Sequence, residues 1–257
     1  MRILVCMKAV PATAQVRVDE QFRLERDGAS LQWNIADESA LEAAVRLKGQ
    51  TGSVTVLTMG PQKLEEPLRD LLARGADHAV LVTDPLMAGA DTYATAEALL
   101  SAVKALGEFN LILCGRRALD GETGQVPGML AAGLDRPCVT NVEQLSAEED
   151  YLMLRRRLEN GIEVLRAQLP VVVSVCEYSY LLRLPGIMGM RRAKQQQIQR
   201  LCAADLDLPA HACGLKGSLT RVVAMSERFP GLRKGPKQTD IAVGAAEVLK
   251  LCREVVG

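Results

Sequence analysis

The 257-residue sequence predicts an α/β fold, in which helices cover both faces of a doubly wound, mainly parallel sheet. Apolar runs typical of buried strands alternate with helical segments of roughly 10–17 residues through the first half of the chain. Hydrophobic residues make up 48% of the chain and charged residues 24%, so a core of ordinary size can form. A sheet of this kind, called Rossmann-like, binds ligands beyond the carboxyl ends of its strands.

The predicted elements alternate regularly as far as residue 134. Asn34 or Asp37 can cap the first long helix. A polar hairpin, with its turn at Asp27-Gly28, is expected between the first strand and that helix. The predicted strands lie at 2–8, 53–59, 79–82 and 109–114, and the predicted helices at 34–50, from Gly60-Pro61 to Gly75, at 91–106 and at 127–134.

The pattern changes after Leu134. Strand-like runs with short gaps predict an antiparallel hairpin section at 138–145, 151–158, 162–169 and 171–176. Within it, Asn160-Gly161 is a strong signal for a type I′ turn. An irregular apolar and basic segment follows, and residues 201–238 show no periodicity. Thr239 or Asp240 caps a final helix. We expect an α/β domain over 1–200 and an extended tail over 201–257 that packs on a partner subunit; the alternative is that the last helix docks on its own domain.

One loop carries the strongest functional signal. The apolar run Leu111–Cys114 leads into the polar residues Gly115–Val126, termed here the Gly115 loop, and then into a short helix. Free backbone amides and the helix dipole favour phosphate at such a position. Gly115, Gly121 and Gly124 allow close approach of the backbone to a ligand. The sequence is neither a Walker loop nor GxGxxG, so an ordinary strand–helix connection remains the alternative.

Composition excludes several other functions. Lys and Arg together equal Asp and Glu at 31 each, and aromatic residues are only 3%, which argues against a nucleic-acid partner. The sequence has no signal peptide and no apolar run of membrane length, so we expect a cytoplasmic protein without membrane insertion. The seven cysteines are scattered, and the two histidines form no ligand motif, so no metal site is expected. No nucleophile has an evident base beside it, so no catalytic residue is assigned.

Several motifs, in the right order, resemble the beta (small) subunit of electron transfer flavoproteins nearly end to end. The first strand with its Lys-x-Val-Pro turn, the asparagine loop with the following helix, and the Gly115 loop all match. The motifs are Ile3–Pro11, Trp33-Asn34 with Glu38–Lys48, Met59-Gly60-Pro61, Arg74–Asp77, Gly115–Val126, Leu169–Val173 and Leu184–Met188.

The resemblance implies a noncatalytic half of a heterodimer. In this family an alpha subunit holds FAD, the beta subunit closes over it, and the pair carries electrons from dehydrogenases or NADH to a downstream acceptor. The beta subunit also binds an adenine nucleotide. The cofactor-binding positions implied here, together with the physical interpretation of the loop, are Cys6, Asn34, Asp37, Met59, Gly115, Arg117, Asp120, Gly121, Glu122, Thr123, Gly124, Gln125 and Val126.

A second set of positions is expected to recognise a partner protein. These residues lie in the segment where family members meet dehydrogenases: Leu181, Leu182, Arg183, Leu184, Ile187 and Met188. If their apolar side chains are exposed together, they form a partner surface; the alternative is a loop that packs on its own domain. The family's Pro-Arg-Tyr and lysine-rich stretch are replaced here, so the donor's identity stays open.

The identity of the nucleotide is a separate question. Members with AMP have a loop rich in consecutive aspartates, and members with a second FAD have a shorter Asp-Gly-Asp-Thr-Ala-Gln-Val-Gly-Pro form. The sequence from Asp120 to Gly128 resembles the second form but departs from it at Gly124 and in Pro127-Gly128. We therefore expect FAD in this chain, with AMP as the alternative. A stand-alone regulatory nucleotide-binding module is the alternative function, although it would not need the hairpins and tail beyond Leu134.

Overall fold

The computed structural model describes residues 1–12, 30–148, 150–223 and 240–256. The chain forms two compact units, Met1–Val223 and Ala224–Gly257, and the second is described only for residues 240–256. The first unit extends past residue 200, because Leu201, Ala203 and Leu206 are buried in its core. The predicted role of the tail as an arm for a partner subunit stays a prediction.

The secondary structure of the first unit alternates as expected up to residue 134. The strands are β1 (Arg2–Cys6), β2 (Ala9–Pro11), β3 (Leu31–Trp33), β4 (Ser53–Met59), β5 (His78–Val82), β6 (Leu111–Gly115), β7 (Cys138–Ala147), β8 (Tyr151–Leu158), β9 (Gly161–Gln168), β10 (Val171–Val175) and β11 (Gln199–Leu201). The helices are α1 (Ile35–Leu47), α2 (Glu65–Ala73), α3 (Thr92–Leu106), α4 (Val126–Gly133), α5 (Ile187–Gln195) and α6 (Gly214–Gly217) in the first unit, and α7 (Ile241–Val256) in the second.

Nine strands of the described chain form one sheet in the order β11-β5-β4-β1-β6-β10-β7-β8-β9. All neighbouring pairs from β11 to β7 are parallel, and only the pairs β7–β8 and β8–β9 are antiparallel. The chain builds outward from β1 through β4 to β5 and then restarts on the other side of β1 with β6. This reversal leaves a crevice between the carboxyl ends of β1 and β6, which is where ligands bind in open α/β sheets.

Each face of the sheet carries its own apolar cluster. On one face, Leu41 of α1 and Leu71 of α2 join Ile3 and Val5 of β1 in a buried cluster. On the other face, Leu99 of α3 and Leu130 of α4 belong to the second cluster. Helices before and after the strand reversal therefore cover opposite faces, as right-handed crossover connections require. The predicted doubly wound α/β architecture is confirmed.

The strands beyond residue 134 differ from the prediction in their direction. The expected antiparallel pairing is confirmed for β7–β8 and for β8–β9, but β10 lies between β6 and β7 and is parallel to both. The prediction of a type I′ turn at Asn160-Gly161 is wrong. Leu158 pairs with Gly161, so Glu159 and Asn160 form the turn, and of these three consecutive residues only Gly161 has positive φ, whereas type I′ needs it at both central positions.

Helix α5 and strand β11 were not expected from the sequence. Gly189 lets α5 cross α2 closely, since a Cβ at that position would lie 2.2 Å from the carbonyl oxygen of Ala73. The helices also cap each other: Arg69 of α2 donates to the carbonyls of Ala193 and Gln196, and Arg192 of α5 donates to carbonyls at the end of α2. Gly189 and Arg192 belong to the segment that was expected to be irregular, and in the structure they stabilise the packing of α5 on α2.

The remaining predicted boundaries differ only slightly. Helix α1 is shorter than the predicted span at both ends, from Ile35 to Leu47. Most of the predicted polar hairpin, residues 13–29, lies outside the described residues, although β2 and β3 at its base pair antiparallel. Asp240 caps α7 by accepting from the backbone N–H of Ala242 and Val243, and Thr239 lies outside the described residues.

Candidate functional site

The floor of the site is formed by the carboxyl ends of β1, β4 and β6. Val5 pairs with Leu113, so Cys6 and Cys114 follow at the ends of adjacent strands, as predicted. Both thiols are buried, and the half-buried Met59 ends β4 beside them in the strand order. The pKa of the Cys114 thiol is raised well above its ordinary value, mainly by its hydrogen bond with the Cys6 thiol and secondly by its burial. Cys114 is therefore a neutral, apolar residue in the floor of the site rather than a nucleophile.

Asp37 joins the ends of β1 and β6 at the first turn of α1. Its carboxylate oxygens accept from the backbone N–H of Lys8 (2.7 Å) and of Gly115 (3.0 Å). Burial raises the pKa of Asp37 to about 7, and hydrogen bonds from Asn34, Lys8 and Gly115 oppose that shift. The predicted site residue Asp37 therefore acts on the chain's own backbone and fixes the crevice between the two strands.

Asn34, immediately before α1, holds the beginning of the Gly115 loop. Its side-chain amide donates to the carbonyl of Arg117 at 3.0 Å, and its side-chain oxygen accepts from the backbone N–H of Leu119 at 3.2 Å. Since Asn34 is buried, it satisfies two loop groups that would otherwise lack protein partners. Sequence analysis placed Asn34 at the site, and the structure brings it into direct contact with the loop.

Lys8 and Asp120 tie the middle of the Gly115 loop to the end of β1. The Lys8 ammonium donates to the Asp120 carboxylate at 2.6 Å, and the Asp120 side chain is only 6% exposed. Asp120 is one of the predicted cofactor-binding residues, and in this structure its carboxylate fixes the loop. Gly115 likewise has an internal role, because a Cβ there would lie 2.2 Å from the nearer carboxylate oxygen of Asp37.

Two arginines of the Gly115 loop lie close to Glu177. Arg116 makes a bidentate ion pair with Glu177, which follows β10, at 3.0 Å and 2.5 Å. Burial alone would raise the pKa of Glu177, but the Arg116 guanidinium outweighs it and lowers that pKa. Arg117 lies 3.8 Å from Glu122 and 3.9 Å from Glu177, beyond hydrogen-bond distance in both cases. Of the two guanidinium groups, that of Arg117 can therefore turn towards a bound anion with the smaller loss of hydrogen bonding.

The outer part of the loop, residues 121–125, is exposed and leads into α4. Glu122 and Gly124 adopt left-handed backbone conformations, with φ of 49° and 62°. The Thr123 hydroxyl lies 3.4 Å from the Thr92 hydroxyl at the start of α3. Gln125 immediately precedes α4. The first backbone N–H of α4 to donate to a carbonyl one turn earlier is that of Met129, so the N–H groups of Val126 and Gly128 make no bond of this kind. Peptide donors, two hydroxyls and Arg117 therefore face a common rim that suits a phosphate-bearing ligand.

The two histidines lie away from the crevice. His78 begins β5, at the amino edge of the sheet opposite the Gly115 loop. His211 lies in a short helical turn near the end of the first unit. Among the described residues, no cluster of three or more His, Cys, Asp and Glu side chains can hold a metal ion.

Comparison with known proteins gives the family. A family model described as the electron transfer flavoprotein domain matches residues 22–206. The chain belongs to the electron transfer flavoprotein beta-subunit family. The electron transfer flavoprotein subunit beta of Thermoanaerobacterium thermosaccharolyticum is 42% identical over 229 residues, which cover 88% of each chain.

Two further relatives also align with most of this chain. A caffeyl-CoA reductase-Etf complex subunit, CarD, of Acetobacterium woodii is 39% identical over 86% of each chain. Protein FixA of Bradyrhizobium diazoefficiens is 38% identical over 86% of this chain and 81% of that protein. No helix in the described parts of the chain is long and apolar enough to cross a membrane.

The predicted partner-recognition residues of the electron transfer flavoprotein subunit are divided by the structure. Four apolar side chains protrude and are termed here the apolar patch: Leu181 (78% exposed), Leu184 (84%), Ile187 (70%) and Met188 (75%). Leu182 is half-buried and packs against the core, and Arg183 pairs with Glu42 of α1. The segment therefore both packs on its own domain and presents an exposed apolar surface.

Lys8, Arg116 and Glu177 were not among the predicted site residues. Lys8 belongs to the Lys-x-Val-Pro turn and follows a strand that ends at the crevice, so a signal for it was present. Glu177 follows β10, and only the unexpected insertion of β10 beside β6 brings it to the Gly115 loop. The same insertion makes possible its ion pair with Arg116.

Proposed function

We propose that this chain is the small subunit of a heterodimeric electron carrier, which receives electrons from a dehydrogenase or from NADH and passes them to a downstream acceptor. The observation that carries the proposal is the Gly115 loop at the strand reversal, with its base fixed and its rim exposed. A larger flavin-binding subunit would hold FAD, and this chain would close over it. The carrier would work in the cytoplasm, in keeping with seven cysteines that are all unpaired.

The nucleotide proposed for this chain's own site is FAD, with AMP as the alternative. The pyrophosphate would lie against the start of α4, within reach of Arg117 and Thr123. The loop supports FAD because it is short and its residues 121–125 are exposed, which leaves a path for a flavin beyond the pyrophosphate. FAD in the chain supplies one- and two-electron chemistry, whereas AMP supplies none.

Cofactor stoichiometry tests the choice of nucleotide. The cofactors of pure heterodimer are released with acid and quantified by chromatography, against protein determined by amino-acid analysis. Two FAD per heterodimer is the expected result. One FAD with one AMP would replace FAD by AMP in this chain and leave the carrier function intact. One FAD with no second nucleotide would remove the Gly115 loop as a binding site.

Point variants test which loop residues contribute to nucleotide binding. Asp120→Ala releases the loop from Lys8, and Thr123→Ala removes a rim hydroxyl, so each is expected to weaken binding by roughly tenfold, the value of one hydrogen bond to a charged group. Cys6→Ser is the control, since Cys6 lies in the floor, and it should change affinity by less than about threefold. Calorimetry on nucleotide-depleted heterodimer measures the three affinities, and equal values would contradict the assignment.

The apolar patch is the proposed contact with the donor dehydrogenase. Four protruding apolar side chains within eight residues form a surface of the kind that marks protein partners. A dehydrogenase that oxidises acyl-CoA thioesters is the proposed partner class, and the name of the relative in a caffeyl-CoA reductase complex supports it. Steady-state reduction of the heterodimer by such a dehydrogenase, before and after Leu184→Ala, tests the contact.

An obligate heterodimer has a distinct test. Helix α7 exposes Ile241, Val248 and Leu249, and obligate interfaces are hydrophobic and bury ~2,000 Å² or more. The chain expressed alone is therefore expected to be poorly soluble or self-associated, and co-expression with an alpha subunit should yield a stable one-to-one complex. A monodisperse monomer that does not bind the alpha subunit would contradict the proposal.

A further inference from the structure

We infer that Glu42 is a positioning residue, which holds the segment before α5 in the conformation that presents Leu181 and Leu184 to a partner. The inference rests on the proposed role of the apolar patch as the dehydrogenase contact. Glu42 lies on the third turn of α1 and is only 3% exposed. A buried carboxylate is costly unless it is paired and hydrogen-bonded, so its partners define what it does.

Three of the hydrogen bonds to Glu42 come from one residue of the segment. The Arg183 guanidinium donates to both carboxylate oxygens, at 3.0 Å and 3.1 Å, and the Arg183 backbone N–H donates to one of them at 3.1 Å. Bidentate arginine–carboxylate pairs fix orientation as well as distance. Because the backbone N–H is included, the pair restrains the main chain between Leu181 and Leu184, not only a side chain.

Two further contacts restrain the same stretch. Ser39, one turn before Glu42 on α1, donates its hydroxyl to the Tyr180 carbonyl at 3.0 Å and accepts from the Tyr180 N–H at 3.3 Å. Arg74, at the end of α2, donates to the Arg183 carbonyl at 3.0 Å. The N–H and C=O groups of Tyr180 and Arg183 are thus all bonded to two helices of the core.

The consequence is an irregular segment with a fixed conformation. Leu182 packs against the core, whereas Leu181 and Leu184, which belong to the apolar patch, are exposed. An unrestrained loop would lose main-chain freedom when a partner binds, whereas this segment has already lost it on folding. Removing the restraint should therefore weaken docking although no residue that touches the partner has changed.

The test is steady-state reduction of the reconstituted, flavin-loaded heterodimer by a short-chain acyl-CoA dehydrogenase with butyryl-CoA. Glu42→Gln and Arg183→Gln are each expected to raise KM for the heterodimer about tenfold, with kcat and flavin content unchanged. The Arg46 guanidinium also donates to Glu42 at 2.8 Å, but its side chain is 57% exposed and water can solvate it when Glu42 is replaced. The double variant therefore leaves two amides facing each other and no charge on Arg183 without its partner, so its KM should fall back towards the wild-type value. Glu66→Gln, at an exposed residue of α2 whose ion pair spans 3.5 Å, is the control and should leave KM unchanged.

Amide exchange on the same samples separates positioning from general destabilisation. Faster exchange confined to residues 180–184 in Glu42→Gln supports the inference, and faster exchange across the whole of α1, or loss of flavin, overturns it. Glu42→Gln in a Leu181→Ala/Leu184→Ala background should raise KM less than twofold further. A full tenfold increase there would mean that Glu42 acts independently of the apolar patch.

The outcomes distinguish the inference from the function on which it rests. If Leu181→Ala/Leu184→Ala leaves KM unchanged, or if the wild-type heterodimer is not reduced, the proposed docking contact fails and the inference fails with it. If that double variant raises KM but Glu42→Gln and Arg183→Gln do not, the contact stands and only the positioning role of Glu42 is overturned.

Discussion

Substitution of Gly115 by alanine should open the crevice between β1 and β6. The new Cβ would lie 2.2 Å from a carboxylate oxygen of Asp37 and 2.8 Å from both the Asp37 nitrogen and the Ala36 Cβ. None of these atoms is at the end of a flexible side chain, since Asp37 is buried and bound to two backbone amides. Either the start of α1 or the end of β6 must move.

The size of the effect follows from what that movement breaks. Overpacking by one methyl group in a rigid core costs about 1–3 kcal/mol. Loss of one hydrogen bond from a buried carboxylate adds about 1.5–3 kcal/mol. We therefore expect Gly115→Ala to lower the free energy of unfolding by about 2.5–6 kcal/mol and to reduce nucleotide affinity by more than about tenfold.

Urea unfolding of purified heterodimers at matched concentration, together with nucleotide content by chromatography, measures both effects. Gly128→Ala is the matched control, because its Cβ would meet no atom within 4 Å and the residue lies in α4. Alanine there should stabilise the protein by about 0.5–1 kcal/mol. A Gly115→Ala heterodimer with the wild-type midpoint and full nucleotide content would refute the close fit of Asp37 between the two strands.

Two further predictions concern stability. Burial raises the pKa of Asp37 to about 7 in the folded state from 3.8, so the stability that this group contributes is full below about pH 4 and is lost as pH rises through 7. The difference in Tm between wild type and Asp37→Asn should therefore shrink between pH 4 and pH 8, and a constant difference would contradict the assignment. Gly189→Ala would place a Cβ 2.2 Å from the Ala73 carbonyl oxygen and should destabilise by about 1–3 kcal/mol in urea, whereas Gly186→Ala, which meets no atom within 4 Å, should not.

The local pattern of the sequence was sufficient for the first half of the fold. Uninterrupted apolar runs such as Leu111–Cys114 predict buried parallel strands, and the strand reversal then places Asn34 and Asp37 beside the Gly115 loop. Local pattern could not place β10 between β6 and β7, because pairing of that kind is decided by packing between residues far apart in the chain. Glu177 was missed for this reason.

Local pattern was also insufficient to predict the segment that contains Arg183 and α5. Pro185, Gly186 and Gly189 are helix-breaking residues, and from sequence they predict a loop. In the structure Gly189 instead permits close contact with α2, so one of the three apparent breakers is what allows α5 to pack. The restraint on Arg183 comes from Glu42, a residue 141 positions earlier, and no periodicity within either segment contains that information.

Helix α1 connects the proposed nucleotide site with the proposed docking surface. Asp37 in its first turn fixes the crevice under the Gly115 loop, and Glu42 holds the segment that carries the apolar patch. At 1.5 Å per residue these side chains leave the helix only about 7.5 Å apart along its axis. A displacement of α1 forced by Gly115→Ala should therefore also reach Arg183. We expect that variant, reloaded with nucleotide at saturating concentration, to raise KM for reduction by the dehydrogenase, whereas Gly128→Ala should not. An unchanged KM in the reloaded Gly115→Ala heterodimer would show that β6 absorbs the new methyl group and that α1 keeps its place.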